Sequence, residues 1–154
     1  MRRFLAIVCA MFAVNVFADD GFDRWYVVGE VATVLPQGGS RIDHGVGAGA
    51  RFGYYLGELW SIEGEAAWLG RSTGFGADAL WHWWGYERFD PFFTVGARCW
   101  LGDDANQSGP KAGLGAYFHL TENCSLRFDA DATLGVDGER EMLYSLSAGA
   151  QIFF

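Results

Sequence analysis

A chain of 154 residues is long enough for one domain and too short for two, which excludes a multi-domain enzyme. Hydrophobic residues make up 51%, aromatics 17% and charged residues only 19%, a balance too apolar for a disordered chain and one that implies a packed or membrane-embedded body. The formal charge of −8 excludes a nucleic-acid partner, because phosphate binding needs a basic stripe.

At the start, Arg2 and Arg3 precede an apolar run from Phe4 to Val16, which closes at Val16-Phe17-Ala18 before Asp19-Asp20. That run of about 13 residues is shorter than the ~20 a helix needs to cross a bilayer. Residues 1–18 therefore read as a secretory signal peptide cleaved after Ala18. A lipoprotein reading through Cys9 fails because Val8 is large where a small residue is needed. Cleavage removes two arginines and no acid, so the expected mature domain, residues 19–154, carries −10. Cys99 and Cys124, the cysteines left, are too few for a disulfide scaffold and fall near opposite ends of non-neighbouring strands. No disulfide is expected.

Beyond Ala18 the pattern has period two. A first strand is expected from Arg24 to Leu35, followed by a polar link near Pro36 to His44. In Gly45 to Tyr55, Val46, Ala48, Ala50, Phe52 and Tyr54 oppose glycines and Arg51. A tight turn at Gly57-Glu58 leads to Leu59–Leu69, where Trp60, Ile62, Gly64, Ala66 and Trp68 oppose Ser61, Glu63, Glu65 and Ala67. A polar link at Gly70 to Gly74 precedes Phe75–Trp84, a turn at Gly85 to Phe89 precedes Pro91–Leu101, and a link at Gly102 to Ser108 precedes Lys111–Leu120. After a turn at Thr121 to Asn123, Ser125–Leu134 places Leu126, Phe128, Ala130, Ala132 and Leu134 on one face and Arg127, Asp129, Asp131 and Thr133 on the other. A link at Gly135 to Glu141 leads to the last strand, Met142–Phe154.

Eight strands of about ten residues with one apolar and one polar face match an all-β, antiparallel, up-and-down transmembrane barrel, closed so that no edge faces lipid. Short turns would lie in the periplasm with both termini and longer links outside, with outer-membrane lipid as the surrounding partner. Tyr54, Trp60, Trp68 and Trp100 are expected at the two membrane interfaces. A soluble barrel would alternate too, but its core needs large interlocking side chains, whereas this apolar face mixes alanine with bulky residues and sets aromatics at the ends.

The segment Ala112-Gly113-Leu114-Gly115-Ala116-Tyr117-Phe118-His119-Leu120-Thr121-Glu122-Asn123-Cys124-Ser125-Leu126-Arg127-Phe128 resembles the penultimate hairpin of small, porin-like outer-membrane β-barrels, the group that includes the outer membrane protein A transmembrane domain and opacity-type porins. The ending Ala148-Gly149-Ala150-Gln151-Ile152-Phe153-Phe154 looks like that family's assembly signal, carried by Ala150, Ile152 and Phe154. The resemblance implies an outer-membrane location in a Gram-negative cell and recognition by the outer-membrane assembly machinery. Two departures from members of that group are expected to matter: no peptidoglycan-binding extension is expected after Phe154, and the short external loops speak against a dedicated adhesin.

The inward face is expected to hold a charge network of Glu30, Arg51, Glu63, Glu65, Asp78, Arg98, Lys111, Arg127, Asp129 and Asp131, with His82 and His119 as titratable extras. Strand parity sets Arg51 against Glu63 or Glu65 and Tyr117 against Arg127, and brings Lys111 diagonally near Asp131. An eight-stranded barrel is just wide enough for side chains to fill, so these charges read as a structural plug, with a narrow ion or small-solute channel as the alternative. Enzyme geometry is sparse. Glu63/Glu65 and Asp129/Asp131 are pairs about 7 Å apart along a strand, more in keeping with lattice members than with glycosidase acids. For a lipid-modifying enzyme, His119 with Ser125 is the candidate pair, without a clear acidic orienter. His44, His82 and His119 are too dispersed for a metal, and no cofactor loop is present.

Overall fold

The computed structural model describes residues 24–37, 45–83, 88–102, 106–136 and 142–154. The expected signal segment, and most of the links at Pro36 to His44 and Gly135 to Glu141, lie outside the described residues. Eight strands run in order: β1 Trp25–Gln37, β2 Gly45–Tyr55, β3 Trp60–Leu69, β4 Ser72–His82, β5 Phe89–Leu101, β6 Asn106–Thr121, β7 Cys124–Leu134 and β8 Met142–Phe153. Each pairs antiparallel with its neighbours and β1 closes on β8, giving a closed up-and-down barrel. Closure follows from the sequence pattern: with an apolar face that cannot be left beside an open edge in lipid, every backbone N–H and C=O must find a partner strand.

The alternation sorts the side chains. Val31, Phe52, Ile62, Phe75, Val95, Leu114, Phe128 and Leu146 stay exposed on the outer wall, while Tyr26, Arg51, Glu63, His82, Arg98, Arg127 and Phe153 are buried in the lumen. At the end where β1 starts and β8 finishes, the termini end, the outer wall is aromatic. Trp25 stacks on Phe52 at 4.9 Å, Trp81 on Trp83 at 5.7 Å, and Phe89 meets Phe118 at 4.8 Å. Amphipathic rings are favoured at a bilayer interface. Trp68 and Tyr144 do the same at the far end.

Three expectations need correction. Trp100 does not sit at an interface. It shares the inward parity of Arg98, is 2% exposed, and packs with Val34, Leu69 and Leu143 inside the far end of the barrel. Its ring occupies the space over Gly74, where an added Cβ would lie 2.9 Å from a ring carbon. Secondly, the Gly70 to Gly74 link is a tight turn of Gly70 and Arg71 alone, because β4 begins at Ser72. Gly70 adopts φ +58°, a left-handed conformation that glycine reaches without Cβ strain. Thirdly, β6 starts at Asn106, inside the expected link at Gly102 to Ser108. Loop asymmetry is therefore smaller than expected: Gly70-Arg71 at the far end is as short as Glu122-Asn123 at the termini end.

Candidate functional site

The lumen holds every charged residue singled out from the sequence. Register places Arg51 opposite Glu65 across β2 and β3 and Tyr117 opposite Arg127 across β6 and β7. From there the long side chains reach across the barrel rather than only to the next strand.

Arg51, 1% exposed, is the centre. Its Nε donates to Glu30 Oε2 at 2.9 Å and its Nη2 to Asp129 Oδ1 at 3.2 Å. Its Nη1 lies 3.2 Å from Glu65 and 3.6 Å from both Glu63 and Asp78. Glu30 also accepts from Ser147 Oγ at 3.2 Å. Arg127 donates to Glu63, to Asp129 Oδ2 at 2.8 Å and to Tyr117 Oη at 2.7 Å. Its guanidinium also lies over the Phe92 ring, 4.8 Å from the centroid. Toward the far end, Arg98 takes Glu65 and Asp131 each with two nitrogens and donates to Ser145 Oγ at 2.9 Å.

Lys111 corrects one expectation: its ammonium donates to Glu65 Oε2 at 2.8 Å and to Asp78, not to Asp131. Diagonal proximity on β6 and β7 is outweighed by reach across the lumen, because Asp131 is already filled by the bidentate Arg98. An ion taken from water into such an interior costs several kcal/mol, offset only where its hydrogen bonds are made. That is why the acids and cations interleave. Apolar clusters bound this layer: Val34, Leu69, Trp100 and Leu143 on the far side, and Tyr26, Val28, Tyr55 and Phe153 on the termini side.

A second constellation was missed in the sequence. Ser61 Oγ lies 2.9 Å from His82 Nε2, and His82 Nδ1 lies 2.7 Å from Asp90 Oδ2. Tyr26 Oη links this row to the main lattice, at 3.2 Å from Ser61 Oγ and donating to Glu63 at 2.8 Å. The order serine, imidazole, carboxylate is that of a hydrolase triad. Yet Ser61, His82 and Asp90 are each 0% exposed, and Tyr55, Tyr117 and Phe92 pack around the imidazole at 4.9, 5.9 and 6.0 Å. A substrate has no approach to Ser61. The signal that would have found Asp90 is its parity with Phe92, Thr94 and Arg98, lost when the strand is started at Pro91. The pair His119 and Ser125 does meet, at 2.6 Å, with Ser125 fully buried.

Cys99 on β5 and Cys124 on β7 are free thiols. Among the described residues no three His, Cys, Asp or Glu side chains converge to hold a metal ion. Ala150 and Ile152 lie on the outer face of β8, register-paired with Gly29 and Val27 of β1. Phe154, just past the strand, donates its backbone N–H to Trp25 O at 3.0 Å.

Residues 4–145 match the family described as outer membrane protein beta-barrel domain. No curated protein matches the chain. Among solved structures, the outer membrane protein OprG of Pseudomonas aeruginosa is similar at TM-score 0.65 and 13% identity, over 87% of this chain and 97% of that one. Neisserial surface protein A is similar at TM-score 0.62 and 16% identity, over 84% and 97%. The N-terminal barrel of P. aeruginosa OprF is similar at TM-score 0.60 and 16% identity, over 82% and 97%. At such identities the likeness is one of fold.

Proposed function

The chain belongs to the outer membrane protein beta-barrel domain family and is an outer-membrane protein, and from that premise we propose that it works as a non-catalytic integral barrel, structural or surface-exposed, with its lumen closed by its own side chains. The observation that carries this reading is the layered lumen: an interleaved ionic layer around Arg51, bounded on either side by an apolar cluster. An ion crossing it would have to part charges already bonded to one another and the side chains packed at either end of the layer, without hydrogen bonds to replace its lost hydration. The interior charge network, Glu30, Arg51, Glu63, Glu65, Asp78, Arg98, Lys111, Arg127, Asp129 and Asp131, is thus a plug rather than an ion path.

Both termini lie in the periplasm in this reading. Ala150, Ile152 and Phe154 form the signal read by the assembly machinery, and residues 1–18 are removed on export. Burial of Ser61, His82 and Asp90 supports the absence of hydrolysis. Planar-bilayer recording of the purified protein tests the plug: the bilayer should show no steady current steps, and reproducible single-channel openings would establish the channel instead. Lipid mass spectrometry after expression should show no modified lipid; a new deacylated or acylated species would make the barrel an enzyme.

A further inference from the structure

The cations outside the lumen are few, and their placement is uneven. Of the eleven lysines and arginines, Arg2 and Arg3 belong to the expected signal and Arg51, Arg98, Lys111 and Arg127 are buried inside. Arg71 is in the β3–β4 turn at the far end, and Arg41 and Arg140 lie outside the described residues. The remaining two, Arg24 and Arg88, come from opposite parts of the barrel rim at the termini end. Both line one cavity of about 350 Å³, together with His119, Leu120, Thr121 and Glu122.

The rim holds them in place through its backbone. His119 N–H donates to Arg88 O at 3.0 Å, and Arg24 Nη1 donates to Glu122 O at 3.5 Å. The imidazole of His119 is fixed by Ser125 at 2.6 Å. On the lipid side, Leu120 is 60% exposed and the Phe89 and Phe118 rings pair at 4.8 Å. The cavity thus sets two arginines and one glutamate among its lining residues, beside an apolar wall at the level of the aromatic belt.

We propose that this cavity is a binding site for the headgroup of a zwitterionic phospholipid. Its phosphodiester sits between Arg24 and Arg88, whose planar N–H forks match phosphate oxygens, and its ammonium sits against the Glu122 carboxylate. The acyl chains run down over Leu120, Phe118 and Phe89. Basic pockets at the membrane interface bind lipid headgroups in this way, and Glu122 decides between headgroups, since a purely anionic one leaves that carboxylate facing phosphate with no counter-charge. The inference rests on the barrel spanning a bilayer and is independent of whether its lumen is closed.

Native mass spectrometry of the full-length protein in detergent, titrated with phosphatidylethanolamine, phosphatidylglycerol or soluble phosphoethanolamine, tests it. Phosphatidylethanolamine should be retained in preference to phosphatidylglycerol, and soluble phosphoethanolamine should bind about tenfold or more weaker than the lipid. The Arg24→Gln/Arg88→Gln variant should lose about tenfold or more in lipid retention. Glu122→Gln should keep binding but lose the preference for phosphatidylethanolamine. Heat-modifiable gel mobility checks that each variant is folded, and if the double variant is not, Arg88→Gln alone is expected to show the same direction of loss. Unaltered lipid retention by the arginine variants, or an unaltered preference in Glu122→Gln, would overturn the site. Equal binding of soluble phosphoethanolamine and lipid would overturn its assignment to a lipid in favour of a free phosphate compound.

Discussion

Replacing Arg51 by methionine keeps most of the stem volume and removes the cation that the lumen is built around. Glu30 is then left with Ser147 Oγ at 3.2 Å, and Asp129 with Arg127 at 2.8 Å. Glu65, Glu63 and Asp78 lose a positive charge that lay within 3.2 to 3.6 Å. Breaking a buried ion pair from one side strands its partner and costs about 3–5 kcal/mol, or roughly two to four orders of magnitude in the folding equilibrium. Glu30 is the acid with the fewest other partners, so Arg51→Met/Glu30→Gln should recover part of that loss. Replacing both members of a buried pair is far less costly than removing one. The assay is reversible urea unfolding of the barrel in lipid vesicles, followed by tryptophan fluorescence, with the four proteins read as a double-mutant cycle. A loss below about 1 kcal/mol for Arg51→Met, the size of an exposed pair, would refute the view that the lumen is held together by this residue. So would a double variant that adds the two single losses without recovery.

On β7, Ala130→Arg should lower folding yield into vesicles by the roughly 2–4 kcal/mol that arginine costs at mid-bilayer, while Asp129→Asn should still fold with reduced stability; refolding yields of the pair measure both. Trp100→Ala should cost about 3–5 kcal/mol, since the ring fills the far end against Val34, Leu69 and Leu143; an interfacial tryptophan would lose far less in the same urea titration. Deletion of Phe154, or Phe154→Asp, should leave the chain periplasmic and protease-sensitive; fractionation showing unchanged outer-membrane levels would count against the terminal signal.

Strand number, order and the two faces were legible because a period of two runs through most of the chain, and Ser125 to Leu134 states it almost without exception. Neighbour pairings were legible too wherever a short turn fixed the register: Tyr117 stands opposite Arg127 as expected, and Arg51, set against Glu63 or Glu65 by parity, stands opposite Glu65. Contacts across the lumen were not. Lys111 reaches Glu65 and Asp78 on β3 and β4, a distance set by barrel closure and side-chain length, which no linear spacing encodes. Trp100 was misplaced because a tryptophan near a strand end suits an interface, yet parity with Arg98 turns it inward, and only a glycine at position 74 leaves room for it. Asp90 escaped because it stands before a proline, where a strand was not expected to start.

The inside-out arrangement is tested most directly by refolding the unaltered protein from urea with lipid vesicles and, in parallel, into plain buffer. With the apolar face outward and the charges bonded inside, the chain should gain heat-modifiable gel mobility in the presence of vesicles and remain unfolded or aggregate in buffer. A stable, folded monomer in buffer alone would mean that the charged face looks outward, and would contradict the account.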